Sequence, residues 1–477
     1  MAKCGFGRVV VNGVFEPKCP FVTDLEGRFV YVREADRQWL LAAFDFSYMF
    51  RRTSLAWRQA ISHATGIPLS DIWVHELQNH TAPVALDLEG EAREKLVKLC
   101  LPEIQRVIAE ADDAELSYAL VDLGNRYNMN REQYIPGLGM VTVWHGFEFD
   151  ENDRPHCGNP WWMLLQGYTP DLPAFKERIY FDRPADPQGA LLVFRNRQGR
   201  ILGTIARFAA HADIVDSCCY DIGNGNEKVY HFDWPGYMRQ ALDTKIGGTC
   251  VCLCGPCGNL TTKKRRIAGC AAGDRQAREI SSAVVDELLS AWNAGKKPWQ
   301  ALQLRKSANT RVDLPLRTTV PASHEELAAY EDQTKHAEAA FLRAKEDGTP
   351  AYRVKQLGDE HLHKSCMPQI VDRWVGLSDE ELQNRLMTVE LEAVGLNDLV
   401  FAGLPGESMA DASLWLRAQS IGQNLITVDQ VNGYCAYQTT REQYDLGGYA
   451  FWCSCLARDS ESITRREALK LIRNVSV

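Results

Sequence analysis

No stretch of the sequence offers about 18 consecutive apolar residues, so no membrane-spanning helix is expected. A basic surplus is missing too. The chain has 53 Lys and Arg against 62 Asp and Glu, for a formal net charge of −9 and a pI near 5.7. That balance argues against a general nucleic-acid binder, because neutralising phosphates takes clustered Lys and Arg. The one basic run, Lys263 to Arg266, is short and isolated and reads as a solvated turn. The opening MAKCGFGRVVVNGVFEPK lacks the charged segment followed by an unbroken apolar stretch that an export signal needs. There is no Pro/Ser linker, low-complexity tract or internal repeat. Without an export signal, the 15 cysteines are expected to be reduced thiols in a cytoplasmic protein.

What is present is an alternation of strand and helix. RVVVNGVF, RFVYV and WLLAAFDF read as strands, and Thr53 to Thr65 as a helix before IWVHEL. ALLVFRN and ILGTIARFAAH, joined at NRQGR, form a hairpin signal. Asp274 to Ala294 has helical periodicity, and Ser323 with Glu326 and Ser378 with Glu381 are capping boxes that start helices. The expectation is an α/β fold, a mixed central sheet flanked by helices, in one domain over residues 1–477 with a helical surface layer at about 321–390.

Polar stretches that end apolar runs are where such folds place reactive groups. They are HELQNHTAP with Gln78 and His80, GNRYNMN with Arg126, ARFAAHAD with His211, CGPCGNLTTKK with Thr261, GLPGES with Glu407, and AYQTTREQYDLGGYAF with Tyr437 and Tyr449. Each has an ordinary explanation. His211 could be a satisfied core histidine, Glu407 a cap for the helix starting at MADASLWL, the tyrosines packing residues, and Arg126 a surface partner of Asp122. CVCLCGPC has the spacing of a metal or iron–sulfur cluster, but alternate cysteines on a strand share one face, and the run reads instead as core residues. Cys218 with Cys219 and Cys453 with Cys455 read as packing. DEHLHKSC, with His361 and His363, reads as a surface loop.

In their order and spacing these stretches resemble the neutral/alkaline, non-lysosomal ceramidase family of zinc-dependent amidases, from VNGVFEP through DLPLRTTVPAS to the last tyrosines. The resemblance implies His211, Glu407 and Tyr437 as metal ligands. The place of a further ligand histidine is held by Gln78 and that of an acid/base histidine by His80. It also implies Arg126 and Tyr449 near the scissile group, and Thr261 where the family has a serine. An amide oxygen is a weak zinc ligand, so two ligand sets stand. One is Gln78, His211, Glu407 and Tyr437 around zinc, or a harder ion such as manganese or iron; the other brings His80 in beside His211 and Glu407. His75 is no substitute, because an odd number of residues separates it from His80 and turns it to the opposite side of a strand.

The activity implied is metal-dependent hydrolysis, formation or rearrangement of an amide bond in a small N-acyl substrate. Since the family usually carries a C-terminal β-sandwich and this chain ends soon after Tyr449, a soluble substrate is expected rather than ceramide. The alternatives are a binding or accessory protein with a degenerate metal site, or an iron-dependent redox enzyme.

Overall fold

The structure is a computed structural model, described here for residues 1–143, 147–149, 155–157, 180–215, 229–263, 270–295 and 298–476. Cys218, Cys219 and the Lys264 to Arg266 part of the basic run lie outside the described residues.

The fold is mixed α/β. A large mixed sheet runs in the order Thr249–Cys254, Ile201–Phe208, Gln188–Asn196, Asp112–Asp122, Lys3–Val10, Glu26–Glu34, Arg37–Phe44, Ile72–Glu76. Its pairs are antiparallel except the first and last, which are parallel. The apolar run WLLAAF shows why the sheet is buried on both faces. Leu40, Ala42 and Phe44 point into a core shared with Trp57 and Ile61 of helix Arg51–Thr65, while Trp39, Leu41 and Ala43 point the other way. That second face meets Val394, Phe401 and Ile426 of a four-stranded sheet, Leu304–Pro315, Leu386–Leu396, Leu399–Gly403 and Asn424–Val428. The outer face of the smaller sheet packs on Ile370, Val371, Leu469 and Ile472. Helices therefore flank two sheets stacked face to face.

The CVCLC strand follows the same rule: Cys250, Cys252 and Cys254 face the helical core and Val251 and Leu253 the inter-sheet core. Helices occupy Tyr330–Glu346, Ala351–Pro368 and Asp379–Asn384, the last opened by the Ser378–Glu381 capping box. DEHLHKSC belongs to the second of these and is not a surface loop. His363 is buried there, with its ring nitrogens on Thr319 Oγ1 and the Trp452 carbonyl, because one helical face docks against Tyr449–Trp452. Among the described residues no helix is long and apolar enough to cross a membrane.

A buried ion cluster pins the two sheets together near their carboxyl ends. Asp186 accepts from Arg207 Nη2 on the large sheet at 2.5 Å and from Arg417 Nη2 at 2.6 Å, and Arg207 Nε also donates to the Thr427 carbonyl of the smaller sheet. Burial works to raise the Asp186 carboxyl, but the two guanidiniums outweigh it and hold the group well below the usual carboxylate range. A depressed folded-state pKa adds stability above the unfolded value of about 3.9 and loses it as pH falls below. Asp186→Ala is expected to cost about 3–5 kcal/mol in urea unfolding at pH 7, with the gap to wild type narrowing below about pH 4.

Candidate active site

The polar stretches converge where the parallel strands of both sheets end. Strand Ile72–Glu76 leads to Gln78 and His80, Ile201–Phe208 to His211, Thr249–Cys254 to Cys257 and Thr261, Leu399–Gly403 to Glu407, and Asn424–Val428 to Tyr434 and Tyr437. Glu407 and Tyr437 are register partners in a two-residue parallel bridge, which fixes their side chains next to one another.

His211 is fully buried. Its Nδ1 lies 2.9 Å from the Leu260 carbonyl, so Nδ1 carries the proton and Nε2 presents a lone pair. Around that lone pair are the Gln78 amide nitrogen at 3.1 Å, Arg131 Nη2 at 3.1 Å and Glu407 Oε2 at 3.2 Å. Burial, with Arg131 adding to it, lowers the His211 pKa and keeps the ring neutral. Burial works to raise the Glu407 carboxyl, but His211 and the hydroxyls of Tyr437 and Tyr434 carry it below the ordinary value. Tyr434 donates to Oε1 at 2.7 Å, whereas Oε2 is buried with no hydrogen-bond donor among the described residues. A neutral imidazole lone pair and a carboxylate oxygen thus face each other across 3.2 Å.

Gln78 is turned by its neighbours. Its φ is +51°, a left-handed conformation that costs a side-chain-bearing residue of order 1 kcal/mol or more. Backbone bonds on both sides, Leu77 N to Phe44 O and Asn79 N to Phe46 O, hold it there. The amide oxygen accepts from the Cys257 thiol at 3.1 Å, which leaves the NH2 group facing His211. Burial, and then Cys254, pushes the Cys257 thiol up, so it stays protonated and able to donate. His75 is buried one layer behind, with Nδ1 on the Asp429 carbonyl and Nε2 accepting from Cys254 N.

The structure brings together His211, Glu407, Tyr437 and Gln78, with His80 and Tyr449 at the edge. His80 is exposed with its ring 5.5 Å from that of His211, and the Tyr449 ring is 5.6 Å from that of Tyr437. Thr261 is fully buried nearby, paired with Met129 in a short strand bridge. Arg126 is not part of the cluster. Its side chain is 52% exposed and paired with Glu287, because Gly124, at φ +55°, turns the chain outward there. The cation in the cluster is Arg131, only 2% exposed, with Nη2 also donating to the Gly258 carbonyl and to the Tyr437 hydroxyl at 3.0 Å. The Asn-Arg pair occurs twice, at 125–126 and 130–131, and only the second follows a strand, Asn128–Asn130, that pairs with Leu260–Thr262. Tyr434 and Cys257 also escaped the sequence reading; the three-residue spacing of Tyr434 from Tyr437 was the available signal. Glu407 does not cap the following helix, whose first amide, Ala410 N, is satisfied by Asn259 Oδ1.

His211, Glu407 and Tyr437 are donors of kinds that bind a divalent ion, and Arg131 Nη2 now donates to two of them, His211 Nε2 and the Tyr437 hydroxyl. Ligands at about 2.0–2.2 Å around a tetrahedral ion lie roughly 3.4 Å apart, close to the His211–Glu407 separation, and the Tyr437 hydroxyl adjoins both Glu407 and Arg131. Gln78 offers no fourth donor with its oxygen held by Cys257. Among the described residues no group of three or more His, Cys, Asp or Glu side chains forms a ligand cluster, and the third donor here is a phenol.

Comparison with solved structures finds the neutral ceramidase of Pseudomonas aeruginosa, with a TM-score of 0.64 and 15% identity over 100% of this chain and 75% of that one. A ceramidase complexed with C2 gives a TM-score of 0.63 and 14% identity over 99% and 74%. At that identity the likeness establishes the fold. No sequence-family model and no curated protein matches the chain.

The two arginines give contrasting expectations in urea unfolding. Arg131→Leu takes the buried donor from His211 Nε2, the Gly258 carbonyl and the Tyr437 hydroxyl and should cost about 3–5 kcal/mol, whereas Arg126→Ala should cost about 0–1 kcal/mol.

Proposed function

We propose that the chain is a metal-dependent amidohydrolase acting on small N-acyl amines, with His211, Glu407 and Tyr437 as the protein's share of the metal site. The observation that carries this reading is the orphaned Glu407 Oε2 facing the His211 lone pair at 3.2 Å in a place withdrawn from water. A cation there would give Oε2 the partner it lacks, with Gln78 and Arg131 yielding the His211 lone pair they now share, and three protein ligands leave a position open, as in catalytic sites. The group's contribution when bound is to polarise the scissile carbonyl and make water acidic near neutral pH.

The rest of the work belongs to the chain. His80, exposed beside His211, takes the proton from the attacking water and returns it to the leaving amine. Arg131 stays charged: burial opposes its charge, but Tyr437, Asp213 and Glu407 hold its pKa up, so a fixed positive charge borders the place where the oxyanion develops. Tyr449, with the Arg131 guanidinium 5.9 Å from its ring, walls the same side and holds a polar group of the substrate. Thr261 positions the scissile group from the buried bridge next to Arg131.

A second reading, a binding protein that has lost hydrolysis, is favoured by one observation: Gln78 turns a nitrogen rather than a donor oxygen toward His211.

The test is amine release from a panel of N-acyl amino acids, amino sugars and sphingoid bases, using zinc-, manganese- or iron-loaded protein. Glu407→Ala and His211→Ala should lose both metal and hydrolysis while staying folded. His80→Ala should keep the metal and lose roughly 10²–10⁴ in kcat. Gln78→His should bind zinc more tightly, by roughly the 10- to 100-fold typical of a site's supporting interactions or more. Turnover that survives Glu407→Ala would overturn the assignment, and stable metal binding without turnover of any amide would favour the binding-protein reading.

A further inference from the structure

A second concave site, independent of the chemistry above, is walled by arginines. The cavity, about 420 Å³, is lined by Arg51, Arg52 and Arg58 of helix Arg51–Thr65 and by Arg311 of the smaller sheet. Its volume falls in the range of small-molecule sites. Arg58 is 2% exposed and the Arg51 side chain 15% exposed, so these guanidiniums are largely withdrawn from water and need anions nearby.

The chain's own carboxylates do not balance them. Glu381 pairs with Arg51 at 2.7 Å and Glu89 with Arg52 at 3.0 Å, while Glu390 is shared between Arg58 at 2.5 Å and Arg311 at 3.3 Å. Four guanidiniums thus meet three carboxylates, one positive charge in excess. Glu392 and Glu76, which also feel Arg58, are pushed up by burial and do not line the cavity. The Nε atoms of Arg51 and Arg58 are buried without a hydrogen-bond partner among the described residues. The first turn of the helix bearing Arg51 and Arg52 holds no acidic residue, and Phe50 gives it no side-chain cap, so the helix end adds to the positive potential.

We propose that this cavity binds a small solute through an oxyanion group, a phosphate or a carboxylate. Arginine forks suit planar and tetrahedral oxyanions, and the shared Glu390 leaves N–H groups of Arg58 and Arg311 to be satisfied by an incoming anion. The occupant lies next to Asn432, which also lines the cavity two residues before Tyr434.

Isothermal titration with inorganic phosphate and, separately, malonate tests the site. Arg52 and Arg311 have side chains 51% and 65% exposed, so Arg52→Ala with Arg311→Ala should leave the fold intact, as circular dichroism and an unchanged metal content would verify. The expected result is a saturable one-to-one isotherm with one or both probes, weakened roughly tenfold or more in the double variant. The tighter probe identifies phosphate or carboxylate as the preferred group. No saturable heat at millimolar probe, equal binding by the double variant, or the same response to chloride at matched ionic strength would each overturn the proposal. None of these outcomes depends on whether the chain hydrolyses amides.

Discussion

A carboxylate largely withdrawn from water must find positive charge or donated protons within a few ångströms, and the buried Glu407 imposes that demand on this site. Much of the local architecture meets it. The Glu407–Tyr437 bridge sets two side chains abreast, Tyr434 reaches back to Oε1, and Arg131 is clamped by the Gly258 carbonyl and by its own amide on the Asn259 carbonyl. What stays unmet is Oε2, opposite a histidine whose tautomer is fixed by Leu260. Arg131 Nε is likewise buried without a partner among the described residues, and on the proposed reading a cation from outside the chain would complete the set at Oε2. Arg131 already supplies one positive charge to His211 and Tyr437, but among the described residues it makes no hydrogen bond to Oε2.

Position 78 decides how the site differs from a four-ligand one. The strained backbone and the Cys257 thiol act together: the first aims the amide inward and the second engages its oxygen. Cys254 Sγ, 3.5 Å from Cys257 Sγ, backs this contact, and His75 ties the end of the cysteine strand, through Cys254 N, to the strand that leads to Gln78. The cysteine run with cluster-like spacing is a packed strand ending at Cys254, and Cys257 in the turn after it engages a neighbouring amide.

The α/β character, the first strands, the Gln188–Phe208 hairpin and the capped helices were legible because period-2 and period-3.6 patterns and capping residues act locally. The stacking of two sheets was not, since a strand buried on both faces, such as Arg37–Phe44, reads as a continuous apolar run whatever it packs against. Among the residues singled out in the sequence, His211, Glu407 and Tyr437 do come together, each lying in or just past a short strand at a short motif that the family resemblance picked out. The resemblance pointed to Arg126 and passed over Arg131, since two identical dipeptides five residues apart differ in strand pairing, which is a tertiary property. His363 looked exposed from its polar neighbours, but helical periodicity places it on the buried face.

The most direct measurement is X-ray absorption at the metal edge of protein carrying one equivalent of zinc. The account predicts a first shell of one imidazole nitrogen and oxygens from Glu407, Tyr437 and solvent at about 2.0–2.2 Å, with no sulfur. A shell with two imidazoles, a sulfur at about 2.3 Å, or zinc that washes off the folded protein would contradict it.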